Sequence, residues 1–190
     1  IRYIKLIQEE RKKNGLTPKE QQQYLTWDTI MSFWSNPDER LQNRNVPEYN
    51  HDFYKAIIGV YTLTEKSYIR RSMDYSFMLI ESLKDEVILS KEYNYVLVDS
   101  EGNPKKFVYN KYKTVAIYLS QTYNIPERLS KILKDYIETA DLKIGESLFG
   151  QLDTNELYTT SSFSSLVGDV FEKVYEMMYE ADPVKFPKLR

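Results

Sequence analysis

Cysteine is absent from the chain and histidine occurs once, at position 51. The first absence excludes disulfide bridges, thiolate metal sites and cysteine nucleophiles together, and it is in keeping with a reducing compartment. A zinc centre with one histidine and no cysteine would need carboxylates for nearly all its ligands, so no metal and no cofactor is expected. Long apolar runs are missing as well. No stretch approaches the roughly 20 residues that span a bilayer, and the first residues lack the basic-then-apolar grading of a signal peptide. The expectation is a soluble, intracellular chain with no membrane partner. An excess of positive charge is also missing, since 26 Lys+Arg stand against 28 Asp+Glu for a formal charge of −2. Whole-chain charge therefore gives no argument for nucleic-acid binding; only local clustering of cations could supply one.

What remains is 190 residues, 42% hydrophobic and 28% charged, the size and balance of one globular domain with a short additional element. Ile rather than Met at position 1 and Arg at position 190 suggest a piece of a longer protein. Residues 1–24 read as a linker or N-terminal helical extension, with Ile1, Ile4, Leu6 and Ile7 on a charged background and a glycine stop at Gly15. Thr26-Trp27-Asp28 opens a helix through Ile30, Met31 and Trp34, which Asn36-Pro37 breaks before a polar loop running through Pro47. From His51 to Leu63 the spacing of Phe53, Ala56, Ile57, Val60 and Tyr61 predicts a buried helix. Met73, Phe77, Ile80 and Leu83 predict a second, over Arg71 to Leu83.

The pattern then changes. Tyr93 to Asp99 is β-branched and aromatic, Ser100-Glu101-Gly102-Asn103-Pro104 is a dense turn signal, and Phe107-Val108-Tyr109 follows, which together read as a hairpin. Val115 to Ile125 reads as a third strand of a small antiparallel sheet. The helical period returns after Pro126 with Leu129, Ile132, Leu133, Tyr136 and Ile137. A last, long helix, capped by Ser161 or Ser162, runs through Phe163, Leu166, Val170, Phe171, Val174 and Met178 to Pro183. The class is α+β, mainly helical with a small three-stranded antiparallel sheet.

Two adjacent arginines, Arg70 and Arg71, fall at a loop-to-helix junction. A surface arginine there is ordinarily solvated or paired with a nearby acid such as Asp74. A planar guanidinium beside outward-pointing helix-start amides can instead clamp a phosphate through two parallel hydrogen bonds. In the β-rich region Lys111 and Lys113 lie in a polar break.

The stretch from Tyr61 to Met78 resembles the first half of the phosphate site of tyrosine recombinases. Arg71, Asp74, Tyr75 and Met78 match a motif of arginine, an acid three residues on, and apolar residues four and seven on. The double arginine followed by Asp-Tyr is most like the integrases of large DNA viruses, virophages and related mobile elements, although Tyr68 and Ile69 stand where those often carry two prolines. Order supports the likeness: in the family the arginine helix precedes a three-stranded sheet whose turn carries a lysine, and Phe107 to Thr114 falls at that place. Leu148-Phe149 with Ser161-Ser162-Phe163-Ser164 is similar to the helix before the second half of the site, and Leu25 to Ile30 to the start of the catalytic domain.

The resemblance implies a recombinase-like catalytic domain over residues 25–190, lacking its C-terminal part. It implies catalytic roles for Arg71, for Lys113 as proton donor to a departing 5′ oxygen with Lys111 as the alternative, and for Arg190 as the second arginine. It also implies DNA contacts from Arg70, Lys111, Ser161 and Ser162, with duplex DNA as partner and a homo-oligomer on that DNA. The histidine place before Arg190 is taken by Pro187, and Tyr175 and Tyr179 come too early to be the nucleophile, so the chain alone is expected to be inactive. His51 precedes Arg71 and reads as an ordinary residue of a helix start. The alternative function is a non-catalytic DNA-binding or protein-interaction α+β module.

Overall fold

The computed structural model describes residues 27–43, 46–65, 69–84, 88–151 and 154–181. The expected N-terminal extension (1–24) and Arg190 lie outside the described residues. Helix α1 (Trp27–Ser32) runs into a 3-10 turn (Phe33–Ser35), and Asn36 leaves helical geometry at φ −155°, ψ 71°. The break is shorter than the sequence implies. Pro37 pre-sets the φ of a first helical residue and opens α2 (Pro37–Gln42), whose Leu41 is fully buried, within what reads as a polar loop.

Helix α3 (His51–Thr62) is the centre of the helical layer. From Ala56 to Val60 every side is buried, because α6 (Glu127–Thr139) lies across it so closely that a Cβ at Gly59 would meet Leu129 Cδ1 at 2.9 Å. Helix α7 (Thr160–Ala181) adds Phe163, Val170 and Val174 to the same core. The apolar spacing of these three helices correctly marked their buried faces.

Two segments differ from their sequence reading. The helix expected over Arg71 to Leu83 stops after little more than one turn, α4 (Ser72–Ser76), and the chain becomes strand β1 (Met78–Ser82). The Ser76 hydroxyl donates to Met73 O at 2.9 Å, a local bond that competes with helix continuation, and Met78–Leu79–Ile80 finds strand partners on both edges. One edge pairs with β2 (Asn94–Val98); on the other, Ile80 N donates to Glu146 O and Leu148 N to Met78 O. Tertiary pairing thus overrides a 3–4 residue apolar spacing that suits a helix equally well.

The third predicted strand, Val115 to Ile125, is also divided: Val115–Tyr118 forms a single helical turn, α5, and only Gln121–Asn124 is strand, β4. The described strands make one four-stranded mixed sheet in the order β1-β2-β3-β4, with β3 spanning Pro104–Tyr109. The pairing of β1 with β2 is parallel; β2 with β3 and β3 with β4 are antiparallel. The expectation of three antiparallel strands therefore gives way to four strands in a mixed sheet.

At the β2–β3 turn, Gly102 supplies a φ of +76° and the Asp99 carboxylate accepts from the amides of Glu101 and Asn103, each at 2.9 Å. Bonds from Asn103 hold the Asp99 carboxyl down at about 2. Strand β2 is buried along its whole length because both sheet faces are covered. Val96 and Val98 face the helices, while Tyr95 and Leu97 join Val108, Leu79, Leu89 and Tyr93 in a smaller cluster on the other face.

Phe149 joins the layers. Its ring lies 6.0 Å from Tyr136, 5.8 Å from Phe163, 6.5 Å from Tyr75 and 6.4 Å from Phe53, so it touches α6, α7, α4 and α3 at once. Phe149→Ala leaves a cavity that four separate elements would have to close, and we expect it to cost about 3–5 kcal/mol, read as a lowered urea midpoint.

Candidate nucleic-acid interface

Arg71 precedes α4 with an extended backbone (φ −73°, ψ 156°). Successive side chains on an extended segment point to opposite sides, so the two arginines part company. Arg70 turns inward. Its guanidinium lies over the rings of Tyr109 (4.7 Å), Tyr112 (5.1 Å) and Tyr123 (5.1 Å), and Nη2 donates to Tyr123 Oη at 2.7 Å and to Gln121 Oε1. A planar, weakly hydrated cation suits such a cage, which ties the arginine loop to β3 and β4. Arg71 turns outward, is exposed, and makes no ion pair among the described residues. With only five residues, α4 adds little dipole, so the positive charge at this junction is that of the guanidinium itself.

Asn94, fully buried at the start of β2, joins the arginine segment to the lysine segment. Its Nδ2 donates to Asp74 O (2.6 Å) and Lys111 O (3.0 Å), and its Oδ1 accepts from Asn110 N (2.9 Å) and Lys111 N (2.8 Å). All four capacities of the amide are used. Lys113 follows in the turn, exposed, and like Arg71 has no ion-pair partner among the described residues. Lys111 is half-buried, its ammonium 4.5 Å from the Phe77 ring centroid and 3.8 Å from Glu92 Oε2. The Arg70–Tyr112 contact joins the segment that carries Arg71 to the segment that carries Lys113, and both of these cations are exposed.

No family model matches the chain, nor does any curated protein or solved structure.

The remaining expected residues are apart from these segments or differently engaged. Ser161 and Ser162 are exposed on the first turn of α7. The capping oxygen there belongs to Thr159, which accepts from Ser162 N at 3.2 Å and contacts both serine hydroxyls, so the expected cap moves upstream. His51 is buried, with Nε2 2.9 Å from Val46 O and Nδ1 3.7 Å from Asp38. It lines a surface cavity of about 670 Å³ with Asp38, Asp52 and Lys55. The charges there satisfy one another, since Lys55 Nζ lies 2.9 Å from Asp38 and 2.6 Å from Asp52. No cluster of His, Asp and Glu among the described residues could hold a metal ion. No helix among them is long and apolar enough to cross a membrane.

Asp74 lies between the arginines and the core. Burial raises its pKa, outweighing the lowering effects of the Arg71 backbone and of both guanidinium groups, and Oδ1 has no hydrogen-bond partner. Beside it, burial pushes the Tyr61 phenol up to about 12.

Asn94 and Asp74 each give a test. Asn94→Ala orphans two carbonyls and two amides around a buried site, and we expect a loss of roughly 3 kcal/mol in urea unfolding together with faster amide exchange at Asn110 and Lys111. For Asp74 the folded carboxyl keeps its proton to higher pH than an unfolded aspartate. Its contribution to stability is complete below the ordinary value of 3.8 and is lost as pH rises through the raised folded value. Asp74→Asn should therefore melt above the parent at neutral pH, and the gap should close as the solution is acidified through that range.

Proposed function

We propose that this chain is the phosphate-clamping part of a site-specific DNA recombinase of the tyrosine type, acting on duplex DNA as a homo-oligomer. The observation that supports it is the Asn94 junction together with the Arg70–Tyr112 contact, which tie the segment bearing exposed Arg71 to the segment bearing exposed Lys113.

In this reaction a tyrosine oxygen attacks the scissile phosphorus, the bond to the 5′ oxygen breaks, and a 3′-phosphotyrosyl link conserves the bond energy for rejoining. Arg71 offsets the charge that grows on the non-bridging oxygens, a fixed cation acting where charge develops. Lys113 delivers a proton to the departing 5′ oxygen. Arg190 is the second arginine in this reading, and Ser161 and Ser162 supply neutral phosphate contacts from α7. Arg70 acts through position: caged by three tyrosines, it fixes the loop that presents Arg71. No ATP and no metal enters the chemistry.

A second reading, a non-catalytic DNA-binding or protein-interaction module on the same fold, is favoured by the net charge of −2. The two part on covalent chemistry. In the native gene product, a nicked duplex that loses its downstream fragment should trap a protein–DNA adduct, and Arg71→Ala should abolish it. DNA binding without any adduct would leave the module reading.

Binding itself has a separate signature. Arg71→Ala and Lys113→Ala should each weaken duplex affinity across sequences and reduce the slope of log affinity against log salt by about 1. Arg70→Ala should instead lower the melting temperature. Duplex affinity that is absent, or indifferent to salt, removes the phosphate-contact argument.

A further inference from the structure

The β3–β4 connection carries something that phosphate contact does not use. Seven large apolar residues are exposed among the described ones, and three of them are consecutive at the apex of this loop: Ile117 (73% exposed), Tyr118 (62%) and Leu119 (71%). Singly exposed apolar residues are ordinary, whereas three in a row on a protruding turn are not.

The apex is also held in shape. Ile117 N and Tyr118 N donate to Thr114 O and Leu119 N to Val115 O, closing the single turn α5. Tyr112 Oη donates to Leu119 O at 2.6 Å, stapling the far end of the turn to its neck. Leu119 takes φ 57°, a left-handed backbone that costs an L side chain energy and is kept only where the surroundings impose it. Tyr112 in turn lies against Arg70, so the apex is braced by the same cage that orients Arg71.

We propose that Ile117, Tyr118 and Leu119 form a wedge that enters the DNA minor groove and unstacks one base step, kinking the duplex. This deepens the DNA reading above and rests on it. The occupant follows from the pairing of surfaces: an apolar apex on a neck bearing exposed Lys113, braced through Tyr112 against the segment bearing exposed Arg71, matches a ligand that is anionic outside and apolar between its stacked bases. The wedge selects deformable sites, pyrimidine–purine steps above all, because these unstack at the least cost. The lysine and arginine anchor the flanking phosphates while the kink brings more backbone to the protein.

The experiment uses the full chain with duplexes that carry 2-aminopurine beside a central TA step and a donor–acceptor dye pair at the ends. Parent protein should raise 2-aminopurine fluorescence several-fold and shorten the end-to-end distance on saturation, more for TA than for an A-tract centre. The double variant Ile117→Ser/Leu119→Ser, at exposed positions, should keep the parent melting temperature and salt slope, lose less than about tenfold in affinity, and lose both optical signals. Lys113→Ala should weaken binding yet restore the full signals once saturated.

A double variant that unstacks and bends like the parent while still binding overturns the wedge and leaves the DNA reading intact. Parent protein that shows no salt-dependent duplex binding overturns both. A double variant whose only change is a smaller mass in DNA-free sedimentation assigns the apex to contact between copies and likewise overturns the wedge.

Discussion

A single buried side-chain amide holds the arginine and lysine segments together. Asn94 stands where β2 begins, and from there its four hydrogen bonds reach the last turn of α4 and both faces of the Asn110–Lys111 turn. Aspartate could accept but not donate, and leucine would leave every one of those backbone groups without a partner in a place water does not reach. Strand, helix and turn therefore have one relative placement. The Arg70 cage repeats the constraint from the other side: a cation on the loop before α4 is gripped by tyrosines from β3, from the turn and from β4. Two unlike interactions, one neutral and bidirectional, the other cationic and aromatic, close the same triangle.

That triangle fixes the two segments from which the exposed cations Arg71 and Lys113 project. Several charges elsewhere are paired: Lys55 with two aspartates, Lys105 with Asp99, Lys134 with Glu138. Asp74, which feels the Arg71 charge, is pulled out of solvent, where burial favours its neutral form and weakens its claim on the arginine. The net charge of −2 is an average over surfaces that do not share a partner. What an approaching phosphate meets at any one point is set within a Debye length, about 10 Å, and not by that average.

The helices were legible because their signal is redundant. Phe53, Ala56, Ile57 and Val60, or Leu129, Leu133 and Tyr136, repeat one period over several turns, and no single residue decides the assignment. Short elements lack that redundancy. Met73, Phe77 and Ile80 fit a helix on spacing, and only the presence of β2 on one side and Glu146 to Leu148 on the other, both distant in sequence, makes Met78 to Ser82 a strand. The same holds at the site. The turn position of Lys113 could be read from local sequence, but the opposite fates of Arg70 and Arg71 depend on which side of an extended segment faces the sheet. Asn94 carried no signal at all, since its importance is entirely in four backbone groups that sequence does not display.

The apex of the β3–β4 connection shows why the strand reading of Val115 to Ile125 failed in an informative way. Val115, Ile117, Tyr118 and Leu119 are residues that favour a half-buried pleated surface, and a strand there would have sheltered them. The chain instead closes a turn, pays for a left-handed Leu119, and leaves three apolar side chains in solvent. Hydrophobic burial alone would drive the opposite outcome, because each such side chain gains about 1.5–3 kcal/mol when fully removed from water. The competing constraint is Tyr112: it lies against Arg70 and bonds Leu119 O, and a continuous strand through residues 112–119 would carry that carbonyl out of reach. The cage that presents Arg71 thus also forces the apex outward, so cation and apolar tip arise from one packing decision and stay in fixed relation to each other.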